Sequence, residues 1–241
     1  MVDGDLPAGK SKKRMPTRDR ILVAALSLFN EKSPGRVTTA EIAGMVGINE
    51  GNLYYHFRTK ESLITSLFSG FETAAAGFVA SAHSAPANDP ASYPGLLRQW
   101  FSLVWDYRFL FRDLVDLLAV APSLAEAIRS VSTLMGHALD EILKRMESEA
   151  LINVPADDRA PLLANVWIVA TYWAVYLNLQ QRVSALGEEH LDWGINQVSA
   201  LFRPYLSPAA RQAFEEIRET PLSPQAVVTL LAPHPLPPAC D

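Results

Sequence analysis

Within residues 1–60 the apolar positions repeat with the period of a helix. Ile21, Ala24, Ala25, Leu28 and Phe29 fall at i, i+3, i+4, i+7 and i+8 and so share one face, with Thr17 placed as N-cap and Pro34-Gly35 as the stop. Thr38 with Glu41 three residues on has capping-box spacing and opens a short helix through Ile42, Ala43 and Val46. Gly47 follows at the position where a helix end turns left-handed and a side chain would be strained. Asn49 caps a third helix through Leu53 to about His56, and Thr59 a fourth from Lys60 through Leu63, Leu67, Phe68 and Phe71 towards Ala82. Three short helices over 17–57, the last two joined by a glycine turn, have the spacing of a helix-turn-helix.

Downstream the pattern stays helical. Asp89-Pro90 and Pro94 interrupt it ahead of an aromatic-rich segment with Trp100, Phe101, Trp105, Tyr107, Phe109 and Phe111. Pro122-Ser123 with Glu126 reads as a further break and a capping box, opening a helix to about Glu149. Pro155 and Pro161 precede a stretch that carries no charge between Arg159 and Arg182 and is apolar on all sides. By length that stretch would span a bilayer. Its Asn165, Thr171, Asn178, Gln180 and Gln181, and the lack of positive flanking clusters, instead predict burial in a core and against a partner subunit, with no membrane role. Gly187 leads to a helix over 191–205, and Ser207-Pro208 caps a short charged helix to Arg218. No segment alternates as a strand would, and no repeat occurs, so the predicted class is all-α.

Charge adds an asymmetry to this picture. The net charge is −5, yet residues 1–60 carry ten Lys and Arg against six Asp and Glu, while residues 61–241 carry eleven against twenty. A basic end on an acidic body suggests that the first part meets a polyanion; a solvated basic tail on an acidic protein is the alternative. With 49% hydrophobic and 20% charged residues, the 241-residue chain has globular composition and length enough for a sizeable core. Its single cysteine, Cys240, excludes an internal disulfide framework and an all-cysteine metal site. The polar N-terminal segment shows no secretory signal, which predicts a cytoplasmic protein. There is no Gly-x-Ser-x-Gly elbow, glycine-rich phosphate loop or His-Glu-x-x-His, and the histidines lack metal-ligand spacing. No catalytic residue, metal or cofactor is therefore expected.

Thr17, Arg20, Ile21, Ala24, Ala25, Leu28, Phe29, Thr38, Thr39, Ile42, Ala43, Gly47, Gly51, Leu53, Tyr54, Phe57, Lys60, Glu61 and Leu63 carry a resemblance. In order and spacing they are similar to the N-terminal domain of TetR-family transcriptional regulators, over roughly residues 15–65. Thr38 and Thr39 lie at a helix N-terminus, where free N–H groups and hydroxyls suit a phosphate oxygen. Asn49, Glu50 and Asn52 are the polar residues at the start of the recognition helix, the part that reaches base edges, and Gly51 allows close approach to the groove. Asn52 suits adenine N6/N7 and Glu50 cytosine N4, the acidic Glu50 acting more by exclusion than by affinity. Tyr54, Tyr55 and His56 offer donors to the sugar-phosphate backbone, and Lys60 resembles the family's phosphate-clamping lysine.

The resemblance implies a basic arm over 1–15, a helix-turn-helix DNA-binding domain over 16–62, and a helical effector-binding and dimerisation domain over 63–218. A Pro-rich tail over 219–241 completes the chain. It further implies a repressor released from a palindromic operator in double-stranded DNA, and a homodimer joined through the uncharged stretch and the helix after it. The effector is expected to be a small apolar or aromatic molecule, with Trp100, Trp105, Phe109, Trp167, Tyr172 and Tyr176 as candidate pocket residues. A filled aromatic core is the alternative for all six. Asn165, His137, Arg98 and Arg129 are the candidate polar anchors. Two other classes stay open: a regulator without an effector, and a helical small-molecule-binding protein or enzyme whose DNA binding is vestigial.

Overall fold

The computed structural model describes residues 15–86, 88–112, 114–180, 187 and 189–216. The basic cluster from Lys10 to Arg14 and the Pro-rich tail lie outside the described residues. Among the described residues the chain forms α1 (Thr17–Lys32), α2 (Thr39–Val46), α3 (Glu50–His56), α4 (Lys60–Ser84), α5 (Ser92–Asp106), α6 (Phe109–Arg112) and α7 (Leu114–Val120). These are followed by α8 (Leu124–Ser148), α9 (Ala156–Gln180), α10 (Glu189–Phe202) and α11 (Pro208–Glu216). The only extended pairing among them is an isolated antiparallel bridge between Ile152 and Leu206.

Local chemistry sets the ends of the first helices. The hydroxyl of Thr38 accepts the Glu41 N–H at 3.2 Å while the Glu41 carboxylate accepts the Thr38 N–H at 2.7 Å, a reciprocal capping box. That backbone hydrogen bond, with those from Lys32 and the Thr38 hydroxyl, holds the Glu41 carboxyl down at about 2. Gly47 closes α2 with φ of 73°, a left-handed conformation in which any side chain would be strained. Asn49 then caps α3, its Oδ1 accepting the Asn52 N–H at 2.8 Å. Thr59 and Ser62 cap α4 reciprocally.

Several expected boundaries differ. Thr17 is the first helical residue of α1, and Pro16 precedes it with a backbone already suited to the entry. Pro94 does not break the chain but sits in the first turn of α5, where an N–H has no intrahelical partner to lose. Pro161 lies within α9, where its missing N–H leaves one rung of the ladder unmade. Ser123 makes no side-chain cap for α8; its hydroxyl donates to Glu61 Oε1 at 2.7 Å, while Glu126 pairs with Arg129. Ser207, by contrast, caps α11 as expected, accepting the Ala210 N–H at 3.3 Å.

The long helix α4 joins the two parts. Its first turns bury Leu63, Ile64 and Leu67 beneath α1, whose Ile21, Ala25 and Phe29 close the small three-helix core. Its later turns bury Phe71, Ala75, Phe78 and Ala82 against α5 and α8. Within the body, α9 buries Leu162, Val166, Ala170, Trp173 and Leu177 while Ile168, Tyr172 and Tyr176 remain exposed. Each large apolar side chain so buried contributes about 1.5–3 kcal/mol against the entropy of ordering the chain. By length and composition α4 and α9 would both cross a bilayer, yet each gives one face to this core.

Close packing is tightest where α10 crosses α5. Trp173 lies against Phe101 with ring centroids 5.9 Å apart and stacks on Trp105 at 6.1 Å, leaving Gly194 in direct contact with the Phe101 ring. A Cβ at Gly194 would fall inside that ring's van der Waals envelope. Gly194→Ala is therefore expected to lower the melting temperature by roughly 2–12 °C, from about 1–3 kcal/mol of overpacking. Calorimetry checks this, and an unchanged melting point would mean that α10 shifts freely.

Candidate functional site

The N-terminal half of α3 forms a polar, solvent-facing edge. Asn49, Glu50, Gly51 and Asn52 are exposed, while Leu53, 1% exposed, anchors the helix in the core. A Cβ at Gly51 would meet nothing nearer than Asn49 Oδ1 at 3.4 Å, so packing within the chain does not demand a glycine there. Tyr55 is 84% exposed and Tyr54 46%, and neither is packed away against α1. His56 is half-buried, its ring edge-on to Tyr55 with centroids 5.3 Å apart. Seven residues of helix measure about 10 Å, a length that a B-DNA major groove admits.

Three of the expected DNA contacts are joined to one another. The Thr39 hydroxyl donates to Glu50 Oε1 at 2.7 Å and lies 3.2 Å from the Tyr54 hydroxyl, tying the start of α2 to α3. Thr38 is committed to its capping box. The Lys60 ammonium, at the first residue of α4, donates to the Pro34 carbonyl at 3.1 Å. Arg36 and Arg58, both exposed in the segments just before α2 and just after α3, were not singled out in the sequence, where their signal was the positive balance of residues 1–60.

A second set of contacts fixes this unit to the body. Asn30, 8% exposed near the end of α1, donates from Nδ2 to the Asp106 carbonyl at 2.7 Å and accepts the Phe109 N–H on Oδ1 at 3.1 Å. Arg112 donates to the carbonyls of Asn30 at 2.8 Å and Phe29 at 3.2 Å, neutralising the exposed carbonyl end of α1. Phe109 is fully buried with its ring 5.6 Å from Phe29. Phe109 was expected to line a ligand pocket or to fill an aromatic core, and nothing in the sequence joined Asn30 to the corner between α5 and α6.

The body contains a cavity of about 720 Å³, part of it continuous with solvent. Phe78 of α4, Tyr93, Leu96, Leu97 and Trp100 of α5, and Met135, Leu139, Ile142, Leu143 and Met146 of α8 line it. Val166, Trp167 and Ala170 of α9, with Phe202 and Phe214, complete the wall. No charged residue contributes. Tyr93 supplies a hydroxyl, which donates to Glu149 at 2.6 Å and accepts from Arg145 Nε at 3.1 Å. Burial and the Glu149 hydrogen bond push the Tyr93 phenol up to about 12, so it stays protonated at neutral pH.

Of the six expected pocket residues, the structure brings Trp100 and Trp167 together on the cavity wall, with ring centroids 5.8 Å apart. Trp105 lies elsewhere, with Arg108 over its ring at 4.2 Å and Trp173 stacked beside it. Phe109 belongs to the contact with α1. Tyr172, 37% exposed, lines a smaller pocket beside Trp167 rather than this cavity, and Tyr176, 39% exposed, stacks on Trp193. None of the expected anchors reaches the cavity: Arg98 pairs with Asp192 at 3.3 Å, and Asn165, His137 and Arg129 are exposed. The α8 residues that form much of the wall were missed, although Met135, Leu139, Ile142, Leu143 and Met146 recur with helical spacing.

A helix-turn-helix with an exposed reading helix, joined through α4 to an all-helical body that encloses an apolar cavity, has the make-up of a ligand-responsive DNA-reading regulator. Comparison with known proteins agrees. Residues 21–67 match the family described as "Bacterial regulatory proteins, tetR family", and residues 76–214 match a model described as "Bacterial transcriptional repressor". The chain belongs to the TetR family of bacterial transcriptional regulators.

A TetR-family transcriptional regulator from Marinobacter aquaeolei VT8 is 33% identical, with a TM-score of 0.73 over 85% of this chain and 98% of that one. The transcriptional repressor KstR2 of Rhodococcus jostii (strain RHA1) is 35% identical over 65 residues, 27% of this chain and 32% of that protein. The transcriptional regulator QacR of Staphylococcus aureus (strain Mu50 / ATCC 700699) is 42% identical over 53 residues, 22% of this chain and 28% of that protein. These two alignments thus span about a third of the curated relatives.

Proposed function

We propose that this chain is a cytoplasmic, homodimeric transcriptional repressor. It binds a pseudo-palindromic operator in double-stranded DNA and is released by a small, apolar or aromatic effector held in the cavity. The carrying observation is that α4 both packs against α1 of the DNA-reading unit and contributes Phe78 to the cavity wall. A ligand with different affinity for two positions of α4 would shift the spacing of the two recognition helices, a coupling of typically ~1–3 kcal/mol. The naming of its relatives as repressors supports repression over activation. Residues 16–62 act as the DNA-binding domain, 63–218 as the effector and dimerisation domain, and 1–15 and 219–241 as flanking arms.

In this reading Asn52 and Glu50 address base edges, with Asn49 and Gly51 allowing the first turn into the groove. Thr38, Thr39, Tyr54, Tyr55, His56 and Lys60 address the backbone. The glutamate that grips Thr39 also sets the angle of α3 on α2, so Glu50 works partly through position. The ammonium of Lys60 leaves the Pro34 carbonyl for a phosphate on binding.

Lys60→Ala is expected to weaken binding to every duplex alike and to lower the salt slope by about one. Asn52→Ala should instead relax preference at one position per half-site by about 1–3 kcal/mol. Anisotropy titrations over a salt series separate the two. Equal loss from Asn52→Ala on every sequence would remove it from base reading.

A further inference from the structure

We infer that a second chamber behind Trp167 completes the effector site, whose ligand is an elongated, uncharged molecule with an apolar body and one hydroxyl or carbonyl oxygen held by Thr171. This extends the apolar-effector reading above and rests on it. The chamber, about 400 Å³ and partly open to solvent, lies among α4, α6, α8 and α9, and Trp167 lines both it and the larger cavity. Trp167 is the residue common to the two linings, and Trp100 of the larger cavity packs against it with ring centroids 5.8 Å apart.

Thr171 supplies the polar point. It is 1% exposed on the chamber wall, and its hydroxyl has no hydrogen-bond partner. A threonine inside a helix ordinarily turns its hydroxyl onto the carbonyl one turn back. Thr65 and Thr73 of α4 do so, each at 2.9 Å, and Ser132 in the wall of this same chamber bonds the Ile128 carbonyl at 2.9 Å. Thr171 alone of the chamber's hydroxyl-bearing threonine and serine is left unpaired, a disfavoured state for a buried polar group. A ligand oxygen would satisfy it as donor or acceptor.

The charge of the ligand follows from the walls. Among the described residues no charged side chain lines either chamber, so a carboxylate or ammonium would find no partner among them and keep its full desolvation cost. The position also bears on regulation. Phe68 and Leu110 in the chamber wall belong to α4 and α6, the helices that connect the body with the DNA-reading unit. A molecule reaching Thr171 therefore presses on both connections, whereas one confined to the larger cavity touches α4 alone.

The test measures binding of 1-dodecanol, dodecane, dodecanoate and toluene to the full chain by intrinsic tryptophan fluorescence, with Thr171→Val and Val131→Phe as variants. The wild type is expected to bind 1-dodecanol roughly five- to tenfold more tightly than dodecane, the worth of one net hydrogen bond, and dodecanoate most weakly of the three. Thr171→Val should abolish the preference for the alcohol without weakening dodecane, and should not lower stability because it removes an unpaired hydroxyl. Val131→Phe, which fills the smaller chamber, should exclude all three long probes and leave toluene binding intact. Retention of the alcohol preference in Thr171→Val overturns the proposal, as does undiminished 1-dodecanol binding by Val131→Phe. Toluene binding without binding of any of the three long probes overturns the second chamber and leaves the apolar-effector reading standing. Failure of all four probes removes that reading too.

Discussion

Glutamate in place of Ile168 is expected to convert the proposed dimer to monomers and to weaken binding to a duplex with two half-sites on the order of 100-fold. Ile168, Tyr172 and Tyr176 follow one another at four-residue intervals on α9 and are 54%, 37% and 39% exposed, an apolar stripe on a helix whose other face packs into the core. A two-fold interface uses the same surface from both subunits, so one substitution enters it twice. Each carboxylate would lose its water without gaining a partner, which an interface tolerates poorly. Sedimentation velocity reports the monomer and anisotropy the loss of affinity, while helicity by circular dichroism should be retained. A dimer that survives Ile168→Glu would place the interface on another face.

Asn30→Ala should be the most damaging change outside the apolar core. Removing the amide leaves the buried Phe109 N–H without its 3.1 Å acceptor and the Asp106 carbonyl without its 2.7 Å donor. At about 1–3 kcal/mol for each unmet group, the loss amounts to roughly 2–6 kcal/mol, or a fall of roughly 4–24 °C in melting temperature. Asn30→Asp keeps the acceptor and loses the donor, and should fall between the wild type and alanine. Because these bonds join α1 to the α5–α6 corner, the variant should also show a smaller difference in DNA affinity with and without ligand. A melting point within a degree of wild type would show that Arg112 and the Phe29–Phe109 contact hold the corner alone.

Features set by neighbours in the chain were legible in the sequence. The capping box at Thr38, the left-handed Gly47 and the Asn49 cap each depend on residues within four positions, and each forms as its spacing predicts. The exposed first turn of α3 follows from the same short-range pattern. What the chain does across distance was not legible. Ser123 has cap spacing, but the Glu61 carboxylate, 62 residues away, competes for its hydroxyl. Pro94 and Pro161 look like breaks, yet a helix absorbs the first in its opening turn and the second at the loss of one hydrogen bond.

The cavity shows the same division. Helical period tells which face of a helix is apolar and not which helix it meets, so Trp105 and Phe109 read like Trp100 and Trp167 although only the latter pair faces the cavity. Asn30, one polar residue after Phe29, is indistinguishable in the sequence from a surface residue at a helix end. Its role emerges only when the α5–α6 corner arrives 76 residues later. Thr171 likewise reads as a polar interruption of an apolar helix, and its unpaired hydroxyl is visible only once the helix is packed.

Selection of bound duplexes from a random DNA pool, with the purified full chain at fixed near-physiological salt, tests the central claim most directly. The account predicts enrichment of a pseudo-palindrome whose half-site centres lie about one helical turn or a multiple of it apart, as two symmetry-related recognition helices require. Recovery of unselected sequence, or of no DNA from ligand-free protein, would contradict it.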